Sequence, residues 1–246
     1  MRIQLTLPYI IAFFALNLIM GELHEQAHIN AGYLICGCYG PRDFNVWSTC
    51  EQCALPRWSF LATLAGPLFS YSMMWLGAWW MVKNSNTKLK LFGFSLLFAN
   101  LPFARIFTAL MGGGDEKVVI QAIASHINPL VTKIIAALLV TLICLPPMII
   151  AYRKLNARRR FLWIAGFAIT PLIYGMFYHH MFLNWLLKNG IAAESKFLGT
   201  PSLVLLHFLL MLLLLILFGK SLFASNKIYS LTKEEQNFSH LPKVHK

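Results

Sequence analysis

Six apolar stretches, roughly residues 5 to 28, 58 to 82, 91 to 111, 129 to 152, 161 to 184 and 202 to 223, constrain this chain more than any other feature. Each is about the twenty residues that a helix needs to cross the hydrocarbon of a bilayer. Lipid offers backbone groups no hydrogen-bond partner, so such stretches must satisfy themselves as helices. The expected fold class is therefore an all-α polytopic membrane protein with about six transmembrane helices. Composition agrees: 58% of the 246 residues are hydrophobic and only 12% charged, which excludes an ordinary soluble globule. A net charge of +12 would suit a nucleic-acid partner, but the basic residues sit in short loops and a tail beside the spans. There they set orientation, and no nucleic-acid binding is expected.

With six spans, one side receives Arg2, the Lys83, Lys88 and Lys90 loop, the Arg153 to Arg160 loop and a tail carrying Lys220, Lys227, Lys233, Lys243 and Lys246. The other side receives fewer cations, so both termini are expected in the cytoplasm of a bacterial-type inner or plasma membrane. The first stretch lacks an A-x-A-like cleavage site and reads as a retained span. Three regions follow: 1 to 128 with three spans and a Cys-containing loop at 29 to 57, 129 to 223 with three further helices, and a basic polar tail from 224 to 246. Within the loop, Gly32-Tyr33-Leu34-Ile35 reads as extended and Gly40-Pro41 as a turn, which predicts a small hairpin.

The first span ends in His24-Glu25-Gln26-Ala27-His28. One helical turn separates the two histidines, so both imidazoles can bind one zinc ion while Glu25 stands beside the open coordination position. At about 1.5 Å per residue, His24 lies roughly 28 Å above Leu5, near the outer boundary of the hydrocarbon. The third span rises the same way and ends in Gly112-Gly113-Gly114-Asp115, so Asp115 reaches that level. Three glycines permit a tight turn that would return this carboxylate to the ion. Within the same span Asn100-Leu101-Pro102 locally opens the helix, and Arg105 follows one turn later, with Glu22 or Asp115 as its expected partner. Asn100, Pro102 and Arg105 are either substrate contacts or a proline kink with a structural ion pair.

These residues resemble the site-2 protease family of intramembrane zinc metalloproteases. The resemblance covers the first three spans, in the order His24-Glu25-Gln26-Ala27-His28, Ala65-Gly66-Pro67-Leu68, then Asn100-Leu101-Pro102 leading to Gly113-Gly114-Asp115. It implies that His24, His28 and Asp115 bind one catalytic zinc and that Glu25 is the general base. It also implies a three-helix catalytic core. The chain departs from the family pattern at Ser70, where an Asn is common, in the length of the Asn100 to Asp115 stretch, and in a catalytic end that the loop charges place outward.

His126, His179 and His180 lie at the same outer level, where they are candidates for contacting a transition state or replacing Asp115, or are interfacial and structural. His207, among leucines, reads as a packed side chain and Cys144 as a buried hydrophobe. Cys36, Cys38, Cys50 and Cys53 share the first loop. In an oxidising compartment two disulfides are expected, for instance 36 with 53 and 38 with 50; a four-thiolate structural metal site is the rival. The expected activity is hydrolysis of a peptide bond in a membrane protein or membrane-associated peptide by a zinc-activated water. The alternatives are a metal transporter or metal-binding membrane protein, or a catalytically silent relative acting in binding or assembly. Oligomeric state is open.

Overall fold

The computed structural model describes residues 1 to 224, so the basic tail beyond them lies outside the described residues. The chain is overwhelmingly helical, with one two-stranded antiparallel ribbon. Among the described residues, five stretches are long and apolar enough to cross a membrane: Leu7–Cys36, Thr87–Met111, Pro129–Lys154, Arg160–Lys188 and Ser202–Phe223. The predicted span at 58 to 82 is present as a 24-residue helix but is not among those five.

Helix α1 (Leu7–Cys36) begins where Thr6 accepts a hydrogen bond from the Tyr9 amide, and ends at Gly37, whose φ of 77° is the left-handed conformation that closes a helix. It includes Gly32 to Ile35, which correct the expected extended segment. A strand there would need a partner, whereas a helix satisfies the same backbone groups within itself. The hairpin of the loop lies further on, where Arg42 bridges Trp47 and the Asp43 carboxylate caps the turn through the amides of Asn45 and Val46.

Around α1 pack α2 (Phe60–Lys83), α3 (Thr87–Ala99) and α9 (Ser202–Phe218). Helices α2 and α3 approach most closely at Gly77 and Gly93, where a Cβ on Gly77 would stand 2.5 Å from the Gly93 carbonyl oxygen. Only small residues let two backbones meet this way. Beyond them lie α4 (Pro102–Met111), α5 (Asp115–Ile123), α6 (Pro129–Lys154) and α7 (Arg160–Gly175). A π-helical stretch, Met176–Leu183, joins α7 to α8 (Asn184–Lys188). Strands β1 (Ser195–Phe197) and β2 (Thr200–Pro201) form the ribbon that leads into α9. Phe94, Phe98 and Phe13 pack on Phe167 of α7 at the centre of the main core.

The predicted opening near Pro102 is a full break between α3 and α4, with Leu101 at φ 54°. A helix end leaves four carbonyls without partners, and in an apolar interior each must find one. All four do. Leu96 oxygen accepts from Asn100 Nδ2 (2.8 Å), Leu97 oxygen from the Asn100 amide (3.3 Å), Phe98 oxygen from the Leu101 amide (3.1 Å), and Ala99 oxygen from Asn17 Nδ2 of α1 (2.8 Å). The break is thereby tied to the helix that carries the histidines.

Candidate metal centre

His24, Glu25 and His28 sit in the second half of α1. Asp115 arrives from the opposite direction as the first residue of α5. The turn that brings it back uses Gly112 at φ 87° and Gly114 at φ 93°, conformations that cost a residue with a Cβ but not glycine. The result is a cluster: His24 Nε2 lies 3.1 Å from His28 Nε2, and Asp115 Oδ2 lies 3.5 and 3.6 Å from the two nitrogens. Two atoms each about 2.0 to 2.1 Å from one tetrahedral ion are roughly 3.3 Å apart. The measured edges fit that, and the three side chains can hold a metal ion.

Surrounding residues orient them. His28 Nδ1 donates to the Ala62 carbonyl oxygen at 2.9 Å, which leaves the Nε2 lone pair facing the cluster. Gly66 of α2 makes room: an added Cβ would overlap His28 Nε2 and stand 2.6 Å from His24 Cε1. Arg105 Nη2 donates to His24 Nδ1 at 2.8 Å and to Ser70 Oγ at 3.0 Å. An imidazole whose Nδ1 accepts carries its proton on Nε2, so a metal at His24 Nε2 requires that proton to move to Nδ1. Ser70 Oγ, 3.1 Å from Nδ1, is the acceptor at hand, and the Arg105 hydrogen bond must yield. Burial would raise the Asp115 carboxyl, but the two imidazoles beside it outweigh this and hold it well below the usual carboxylate range.

Arg105 pairs with neither Glu22 nor Asp115, the two partners that the sequence suggested. Its ion partner is Glu116, at 3.6 Å, a buried carboxylate that also accepts from the Tyr71 hydroxyl, while the Arg105 guanidinium lies 5.4 Å from the Tyr71 ring centroid. Glu22 is held instead by Arg42 of the loop in a two-point ion pair at 2.7 and 2.9 Å. The loop is stapled by Cys36–Cys53 and Cys38–Cys50. Its Trp47 stacks on His28, with ring centroids 5.0 Å apart and planes 14° from parallel. Nothing local in the sequence connects Arg42 and Trp47 to the histidines; only the fold brings them there.

A cavity of about 660 Å³ opens beside the cluster. Glu25, His24, His28 and Asp115 line one wall and Asn100 and Arg105 another, while Phe44 to Trp47 of the loop and His179 and His180 of the π-helical stretch complete it. Four polar atoms of residues that line it are buried without a hydrogen-bond partner: Glu25 Oε2, Asn100 Oδ1, Arg105 Nε and His179 Nε2. Pro102 starts α4 and shapes the break rather than lining the cavity. Asn45 Nδ2 donates to His180 Nε2 at 2.8 Å, and Asn184 clamps the loop through the Phe44 amide (3.2 Å) and Asn45 Oδ1 (2.6 Å). His179 packs against Phe44 and His207. His126 is exposed in the turn after α5 and does not line the cavity. Cys144 is fully buried in the main core.

Comparison of the chain with models of protein families, with curated proteins and with solved structures finds no match.

Proposed function

We propose that this protein is a membrane-embedded zinc metalloprotease of site-2-protease-like design that hydrolyses a peptide bond of a membrane protein or membrane-associated peptide. One observation carries this reading: two histidine nitrogens and a carboxylate oxygen at tetrahedral-edge distances, in a cavity that also holds the unpartnered carboxylate oxygen of Glu25. The two-imidazole, one-carboxylate donor set suits zinc and leaves a fourth position open. Bound zinc supplies Lewis acidity, which polarises a carbonyl and acidifies water.

The chain's own groups then have distinct tasks. Glu25, whose Oε2 has no competing hydrogen bond, takes a proton from the attacking water and returns it to the leaving amine. Asn100 Oδ1 and Arg105 Nε, one acceptor and one donor, match the N–H and C=O of an extended peptide backbone. The break at Leu101 gives that backbone access where an unbroken helix would not. The loop over His28 and the π-helical stretch limit access from the far side. Among the described residues no second group of metal-ligating side chains forms a path across the protein, which favours catalysis over transport.

Helix α2 counts as the sixth span in this reading, because 24 residues extend about 36 Å. Two disulfides in the loop that covers the site suit an oxidising compartment and support an outward-facing catalytic end with cytoplasmic termini.

The decisive comparison is Glu25→Gln against wild type in lipid nanodiscs, with zinc quantified by elemental mass spectrometry and cleavage of transmembrane-peptide substrates followed by mass spectrometry. Retained zinc with cleavage reduced by at least about a hundredfold is expected. Cleavage by the variant at the wild-type rate overturns the assignment.

A further inference from the structure

At the end of the molecule opposite the metal cluster, an elongated apolar groove of about 400 Å³ runs between α1 and α7. Its floor is aromatic: Tyr9 and Phe13 from α1 meet Phe167 from α7 edge to face, at centroid distances of 6.1 and 4.9 Å. Along α7 it is lined by Leu162, Gly166 and Thr170, spaced four residues apart and therefore on one helix face. Gly166 holds it open, since an added Cβ there would meet nothing within 4 Å. The groove extends from Arg159 at one end to Thr170 at the other, eleven residues or about 16 Å of helix, close to half the hydrocarbon thickness.

Arg159 marks the polar end. Across Trp163, which walls both spaces, lies a second cavity of about 270 Å³ that Arg2 and Arg158 line. The chain start is pinned against this basin: the Met1 amino group donates to the Lys154 carbonyl oxygen at 2.9 Å, and the Asn156 amide donates to the Met1 carbonyl oxygen at 2.7 Å. Burial depresses the Met1 amine, and Lys90, Arg160, Lys154 and Arg2 depress it further by repulsion. The basin is therefore a region of concentrated positive charge. A tryptophan at the boundary and arginines above it are the arrangement expected where a lipid headgroup meets its acyl chain.

We propose that this groove and basin form a binding site for one anionic phospholipid, with an acyl chain lying along Phe13, Phe167 and Gly166 and the phosphate held by Arg158 and Arg159. Length, polarity and charge each select this occupant. The groove is one leaflet long, its walls are hydrocarbon, and guanidinium groups match phosphate oxygens in pairs. A zwitterionic lipid would offer the same chain but would set a cation against the basin.

The test is native mass spectrometry of the full chain released from nanodiscs of phosphatidylglycerol or phosphatidylcholine, independent of any proteolytic activity. Wild type is expected to retain one phosphatidylglycerol per chain, at least about tenfold more than phosphatidylcholine. Gly166→Leu, which fills the groove on a helix face with open space, is expected to lose that lipid with an unchanged melting temperature. Arg158→Gln with Arg159→Gln is expected to lose the preference for phosphatidylglycerol while still retaining lipid. Excess inorganic phosphate is expected to leave the bound lipid in place. Equal retention of both lipids by wild type, undiminished retention by Gly166→Leu, or displacement by phosphate alone overturns the site.

Discussion

Asn17 Nδ2 donates to the Ala99 carbonyl oxygen at 2.8 Å, so a side chain of the histidine-bearing helix caps the break that leads to Asp115. This one bond couples two halves of the candidate metal centre across 82 positions of sequence. Replacing it by Asn17→Leu leaves a buried carbonyl without a partner, a loss of about 1 to 3 kcal/mol. The expected outcome is a lower melting temperature in nanodiscs together with weaker metal retention. A variant that melts lower but retains metal fully would separate the break from the cluster.

The metal-ligand assignment predicts about one zinc per purified chain, and loss of that zinc in both His28→Ala and Asp115→Ala. Ser70→Ala tests the hydrogen-bond exchange at His24. Without an acceptor for His24 Nδ1–H, metal affinity should fall by about 10 to 100-fold while the fold persists. Competition with a chelator measures each affinity, and unaltered affinity in Ser70→Ala would mean that another group takes the proton's partner role.

Gly66→Ala should behave very differently from Gly166→Ala. The first drives a methyl group into both imidazoles and is expected to cost about 1 to 3 kcal/mol and abolish metal binding. The second enters open space within a helix and should be neutral or stabilising by up to about 1 kcal/mol. Thermal unfolding of the two variants side by side checks both.

The Glu22–Arg42 pair is buried, with the Arg42 side chain 0% exposed. Glu22→Ala would leave that cation unpaired and should cost about 3 to 5 kcal/mol, freeing the loop that lies over His28. The double variant Glu22→Leu with Arg42→Met removes both charges and should recover most of the loss. Limited proteolysis at the loop, compared among the three proteins, reads the outcome directly.

Reduction should act on the same loop. Cys36–Cys53 and Cys38–Cys50 close segments of 17 and 12 residues, and removing either is expected to cost about 2 to 4 kcal/mol. Alkylation of the denatured, unreduced protein should label only Cys144, and prior reduction should expose all five thiols. Labelling of all five without reduction would contradict both disulfides.

Much of this was legible in one dimension because it depends on neighbours along the chain. Apolar runs of membrane length predicted the helices, and the His24, His28 spacing predicted two imidazoles on one face. Pro102 announced a helix break, and three glycines announced the return of Asp115. The extended segment expected at Gly32 to Ile35 failed because local β preference is weak against a helix already running into it. The partner of Arg105, expected to be Glu22 or Asp115, is Glu116, because depth along a helix does not separate these carboxylates and only lateral packing does.

By itself the sequence determined that the chain is helical and membrane-compatible, that two histidines share a helix face, and that four cysteines fall close together just beyond them. Tertiary structure decided which carboxylate joins the histidines, that Trp47 covers His28, that Asn17 completes the broken helix, and that a groove lies between α1 and α7. Periodicity along a chain encodes which way a side chain faces, because helix geometry is local. Which side chain it then meets depends on how several helices rotate and cross to satisfy every buried polar group at once, and that is a property of the assembled fold.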